Sequence, residues 1–233
     1  DVLEHAGFSV VVPERLVCCG LTWISTGQLK TAKRVLRRTL RLLRDPIEAG
    51  IPVVGLEPSC TAVFRSDLHE LFPHDQDAAR LGKEMYTLAE FLQKKAPDWR
   101  PPLLQRSAIV QGHCHHQSIM HMEADEKLWS AMGLDAELLD SGCCGLAGNF
   151  GFERGHHDVS VACAERVLMP RVRQESADTL VMADGFSCRT QIADLSDRRA
   201  LHSAEVLQMA LHKAEPGMLP KERPEVAVIG DRV

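Results

Sequence analysis

Short apolar runs of strand length alternate along this chain with stretches that are apolar on one side only. Val10-Val11-Val12, Ile51 to Leu56, Ile109-Val110, Ala136 to Leu139 and Thr179 to Ala183 have the length of short buried strands. Between them, residues 28–44 place Leu29, Ala32, Leu36, Leu40 and Leu43 on one helical face. Residues 158–173 do the same with Val159, Ala162, Cys163, Arg166 and Val167. Such alternation predicts an α/β fold, with small parallel sheets flanked by helices. Lys95 to Pro102 carries three prolines and reads as a linker. The proline-bearing tail from Pro216 onward is expected to wrap the surface or fray.

The pattern also repeats. An offset of 125 residues lays Val17-Cys18-Cys19-Gly20-Leu21 on Gly142-Cys143-Cys144-Gly145-Leu146, and Ser59-Cys60 falls on Ser187-Cys188 once a gap of three residues is allowed. Two related units with a pseudo-twofold internal repeat are therefore expected: 1–98, 103–215, and a tail over 216–233. In the second unit, Cys114 precedes the Cys-Cys pair. Its counterpart would fall before residue 1, so the first unit is expected to be truncated at its N-terminus and the chain to be the C-terminal piece of something longer. The absence of an initiator Met fits a processed or excised chain.

Composition narrows the function classes. With 45% hydrophobic and 25% charged residues among 233, the chain is globular rather than disordered. A net charge of −5 gives no reason to expect nucleic acid as the partner. No apolar run approaches the ~20 residues of a transmembrane segment, and the N-terminus lacks the basic and apolar regions of a signal peptide.

Eight cysteines carry the chemistry: Cys18, Cys19, Cys60, Cys114, Cys143, Cys144, Cys163 and Cys188. A disulfide framework fits poorly. The chain is long enough for a real core, and adjacent cysteines have Cα atoms ~3.8 Å apart, too close for an unstrained bridge. Reduced thiols serving as ligands or redox groups are the better reading. Each recurring cysteine follows a predicted strand, and parallel strands end on one edge, so Cys114, Cys143, Cys144 and Cys188 can converge. Four thiolates suit zinc or an iron–sulfur cluster. Cys18, Cys19 and Cys60 form the lesser set of the first unit. Burial as simple core thiols explains Cys163, at its helical spacing, but not pairs that recur with distant partners. Gly142, Gly145, Gly148 and Gly151 let backbone N–H groups approach the sulfurs. Their spacing is only weakly like a dinucleotide loop, and the Cys-Cys pair would crowd a pyrophosphate.

These motifs resemble the Cys-Cys-Gly family of cysteine-rich domains, found in the B subunit of heterodisulfide reductase, in glycolate oxidase iron–sulfur subunits and in lactate-utilisation proteins. The family pattern is one Cys, a Cys-Cys pair, then Cys-x-x-Cys. Carried over, Cys114 matches the opening cysteine, Cys143 and Cys144 the pair, and Cys188 the last; Cys18, Cys19 and Cys60 correspond in the first unit. The first cysteine of the closing Cys-x-x-Cys is replaced by Glu57 and by Gly185. That disfavours heterodisulfide-type thiol chemistry and leaves a four-thiolate 4Fe-4S cluster or a zinc. The phrases around Cys60, Cys114 and Cys188 look most like the C-terminal iron–sulfur region of fused FAD-linked 2-hydroxyacid oxidases or dehydrogenases. The resemblance implies an upstream flavin domain carrying FAD, a quinone or carrier protein as electron acceptor, and a cytoplasmic location, peripheral to the inner membrane if membrane-associated. A zinc-stabilised interaction module without redox role is the alternative.

Four histidines, His113, His115, His116 and His121, surround Cys114. His113 or His115 could ligate directly, cap the following helix or bind an organic substrate. His156-His157 reads as a surface pair. Lys30, Lys33, Arg34, Arg37, Arg38, Arg41 and Arg44 form a basic helical face, solvated or docked on an acidic partner. Arg189 could hold an anionic cluster or a carboxylate.

Overall fold

The computed structural model of the chain describes residues 1–212 and 224–225, so the expected tail from Pro216 falls almost wholly outside the described residues. The chain opens with helix α1 (Val2–His5), then α2 (Leu21–Ser25), α3 (Leu29–Leu42), α4 (Arg44–Glu48) and strand β1 (Val53–Gly55). Helices α5 (Pro58–Arg65), α6 (Asp67–Leu71) and α7 (Gln76–Glu84) lead to β2 (Met85–Thr87) and α8 (Leu88–Lys95). Next come β3 (Ser107–Val110), a π-helical turn (His116–Met120), α9 (Glu123–Ala131) and β4 (Asp135–Leu138). A 3₁₀ turn (Phe150–Phe152), α10 (His157–Ala164), α11 (Leu168–Gln174), β5 (Leu180–Met182), α12 (Phe186–Leu195) and α13 (Ser203–His212) complete it.

The architecture is α/β with small parallel sheets flanked by helices. β1 pairs with β2 in parallel, and β3 lies between β4 and β5, parallel to both. One apolar cluster packs Leu36, Leu40, Val63, Phe64 and Leu68 within the first half. Another packs Ile109, Leu139, Leu168, Met169, Val181 and Ile192 within the second. A third joins Val2, Leu88 and Leu92 to Leu128, Trp129, Met182 and Leu207, so the halves share buried surface. The repeat is compatible with this arrangement: β1 precedes the helix bearing Cys60 as β5 precedes the helix bearing Cys188.

Three expectations change. Val10–Val12 form no strand and are 45%, 87% and 78% exposed. A three-residue apolar run is held as a strand only where a neighbouring strand pairs with it, and none among the described residues does. Residues 158–173 divide into α10 and α11, because Pro170 has no N–H for the Arg166 carbonyl and its ring crowds that turn. The inward positions are Ser160, Ala164, Leu168 and Met169, while Val159 is 53% exposed. Cys163 is consequently only half-buried rather than part of the core. In α3 the face holds at Ala32, Leu36 and Leu40, but Thr39 is buried and Leu29 is not.

Candidate thiolate centre

The second-unit cysteines lie where the three parallel strands end. Cys114 follows β3 through Gln111, Gly112 and His113; Cys143 and Cys144 follow β4; Cys188 lies in the first turn of α12, after β5. Polar bonds lock these loops together. Ser141 Oγ donates to Gln111 Oε1 (2.5 Å), Gln111 Nε2 donates to the Gly142 carbonyl (3.1 Å), and Gly148 N donates to Ser187 Oγ (3.2 Å).

The four thiols interact. The Cys114 and Cys144 thiols donate toward the Cys143 sulfur and hold Cys143 well below the usual thiol range. The Gly145 N–H, 3.3 Å away, adds to this. Cys114 and Cys144 are correspondingly raised, Cys114 by its bond to Cys143 and Cys144 by bonds to Cys143 and Cys188, with burial second in effect at both. Cys114 and Cys143 are exposed, Cys144 and Cys188 buried. Gly145 is required twice over: its φ is +93°, and a Cβ there would lie 2.1 Å from the Ser160 carbonyl oxygen. Cys163, expected in the core, lies against this glycine instead.

The N-terminal cysteines, Cys18, Cys19 and Cys60, form a smaller set. Cys19 Sγ and Cys60 Sγ stand 2.9 Å apart, outside the ~2.05 Å of a disulfide. The bond from Cys60 lowers Cys19 to about 7, and Cys60 is raised by the same contact. Buried Thr39 holds Cys18 by two bonds: its Oγ1 donates to the Cys18 carbonyl (2.8 Å) and accepts from the Cys18 N–H (3.3 Å). Gly20, like Gly145, is left-handed, at φ +76°. Cys60 and Cys188 are each the third residue of a helix.

The two positions where the family pattern has cysteine carry a role that sequence reasoning missed. Glu57 Oε1 accepts from Ser59 Oγ (2.6 Å) and N (3.4 Å) at the start of α5, and Oε2 accepts from Phe186 N (2.7 Å) at the start of α12. One carboxylate thus caps both cysteine-bearing helices. Gly185 lies against His113, whose ring would be 2.3 Å from an added Cβ. The Glu-x-x-Cys spacing just before a helix was the available signal for the cap.

His113 is buried, its Nδ1 accepts from the His115 N–H (3.2 Å), and burial lowers its pKa against the opposing pull of Glu57. The His115 ring packs edge-on to it at 5.4 Å. Arg189 turns toward Glu205 (3.9 Å). On the basic face, Lys33 and Arg37 lie over the Phe72 ring and Arg44 is 3.6 Å from Asp77, with Arg34, Arg38 and Arg41 exposed. No helix among the described residues is long and apolar enough to cross a membrane.

Residues 1–65 match the family model for the CCG cysteine-rich domain. The chain is 28% identical over 215 residues to the C subunit of the anaerobic glycerol-3-phosphate dehydrogenase of Escherichia coli, covering 90% of the chain but 53% of that protein, about half its length. It is 28% identical over 226 residues to lactate utilization protein A of Bacillus velezensis, covering 89% of each. It is 24% identical over 178 residues to the D-2-hydroxyglutarate dehydrogenase of Pseudomonas putida, covering 76% of the chain and 17% of that enzyme. These similarities bear out the resemblance read from the paired Cys-Cys-Gly motifs.

Proposed function

We propose that this chain is the electron-transfer portion of an FAD-linked 2-hydroxyacid dehydrogenase, built as two Cys-Cys-Gly units over 1–98 and 103–215. The observation that supports the reading is the placement of Cys114, Cys143, Cys144 and Cys188 just past the ends of three parallel strands. The donor set fits an iron–sulfur cluster: sulfur from four thiols, one of them held as thiolate by its neighbours and by the Gly145 N–H. A bound cluster would supply one-electron storage between a flavin and a quinone or carrier.

The residues of the chain do the rest. The Gly145 N–H favours negative sulfur at Cys143, and Gln111 and Ser141 fix the loops that present it. His113 fills the space beside Gly185 and shields the buried side, while the exposed side at Cys114 and Cys143 is where a redox partner would approach. Cys18, Cys19 and Cys60 would hold a second, smaller group. The relatives named as lactate and 2-hydroxyglutarate proteins support a 2-hydroxyacid substrate at an upstream flavin domain. Gly185, with no room for a side chain against His113, counts against a fifth thiolate and hence against heterodisulfide-type chemistry.

Metal and sulfide analysis with visible absorption, on protein purified without air, tests this. Brown protein containing iron and sulfide is expected. Colourless protein with stoichiometric zinc would overturn the redox reading in favour of a zinc-stabilised module.

A further inference from the structure

A second group of ligand-type side chains lies behind the thiols and takes no part in the site above. His116 opens the π-helical turn two residues past Cys114, Asp125 lies in the first turn of α9, and Asp184 follows β5. Their ligand atoms all lie within 4.8 Å of one another. His116 and Asp125 are each only 2% exposed. His116 Nε2 and Asp125 Oδ2 stand 3.0 Å apart, close enough to pair as charges but out of line for a hydrogen bond. Buried polar atoms that close ordinarily point at each other. Two ligands of one cation do not: at ~2.1 Å from a shared ion they stand ~3.0–3.5 Å apart, both aimed at the ion.

The surrounding charges leave the group uncompensated. Glu90 is neutralised by Arg65, whose Nη1 lies 2.8 and 2.7 Å from its two oxygens. His202, 3.7 Å from Asp184, is engaged by bonds of its own: Nδ1 accepts from Ala204 N (2.9 Å) and Nε2 lies 2.7 Å from the Leu56 carbonyl oxygen. Asp184 Oδ1 accepts from Ser203 N (2.7 Å). Two carboxylates and an imidazole therefore share a buried volume, a costly arrangement unless the imidazole carries a proton or a counter-ion joins them. An adjoining cavity lined by Val110, Met122, Trp129 and Ser203 has room for about one water. Trp129 Nε1 is buried without a hydrogen-bond partner.

We propose that His116, Asp125 and Asp184 bind one divalent cation of the first transition row, with a water completing its shell. One nitrogen and two carboxylate oxygens suit manganese, iron(II) or zinc. The ion is structural: it clamps the turn after Cys114 to α9 and to the end of β5. A π-helical turn at the clamp accords with the concentration of such turns at functional sites. The site is independent of what the cysteines bind.

The full chain, incubated with Mn²⁺ and passed through gel filtration, is analysed for its metals. Mn²⁺ is the probe because soft thiolates compete poorly for it. Wild type is expected to carry one more divalent ion per chain than Asp184→Asn, whose affinity falls at least ~10-fold. Cys188→Ser is expected to keep that ion. Circular dichroism checks that Asp184→Asn folds, and His116→Gln replaces it if it does not. Equal metal content in wild type and the folded variant, or loss of the ion in Cys188→Ser, would overturn the site and leave a buried imidazole–carboxylate contact.

Discussion

Replacing Glu57 by Ala removes the one side chain that caps both cysteine-bearing helices, and its cost can be worked from three bonds. The carboxylate accepts from Phe186 N at 2.7 Å, Ser59 Oγ at 2.6 Å and, weakly, Ser59 N at 3.4 Å. Bonds to a charged group contribute ~1.5–3 kcal/mol each. Glu57 is half-exposed and water can reach Phe186 N, so the low end applies. We expect a loss of ~2 kcal/mol in total, or a Tm lower by ~4–8 °C for a chain of this length. The cross-unit part is isolated by Phe186→Pro, which deletes the donor. Phe186 is the first residue of α12, where proline is tolerated, and Gly185 has the extended ψ of 132° that a following proline requires. The Phe186 ring is 64% exposed, so its removal costs little packing. The loss of chain entropy that proline brings to the unfolded state cancels in a double-mutant cycle. The assay is denaturant unfolding of both single variants and the double variant. A coupling of ~1 kcal/mol is expected, and additivity within ~0.3 kcal/mol would refute the shared cap.

Cys144→Ser should abolish retention of the second-unit metal in elemental analysis; unchanged content would refute the ligand set. Gly145→Ala meets both a left-handed φ and the Ser160 carbonyl, and should lower stability by ~3 kcal/mol in denaturant melts. Thr39→Val strips both bonds from Cys18 while keeping the side chain's shape, for a loss of ~1–3 kcal/mol and faster metal release to a chelator. In metal-free protein Cys19 should ionise near pH 7 rather than 9, read as thiolate ultraviolet absorbance lost in Cys19→Ser. Because the folded value lies below the unfolded one, this group's stabilisation is complete above pH ~9 and is lost as pH falls through about 7.

Much of this was legible in the chain. Strand β5 and the helix over 29–42 follow from their apolar periods, and the position of Cys114, Cys143, Cys144 and Cys188 after parallel strands follows from the apolar run before each. Val10–Val12 misled because a strand needs a partner, and a run of valines cannot report whether one is present. Met85–Thr87 escaped notice because a three-residue strand with Tyr86 at its centre has too little pattern to separate it from the flanking helices. Cys163 was misplaced because the face of α10 is set by Pro170, which divides the helical period downstream of it. Glu57 stood out in the sequence only as a missing cysteine. Its bond to a backbone N–H 129 residues away lies beyond any local signal.

The unequal exposure of the four second-unit thiols gives the centre a direction. Cys114 and Cys143 are open to solvent while Cys144 and Cys188 are buried. A reagent in solution therefore meets Cys114 and Cys143 first, and thiol alkylation of the metal-free protein should label that pair ahead of Cys144 and Cys188.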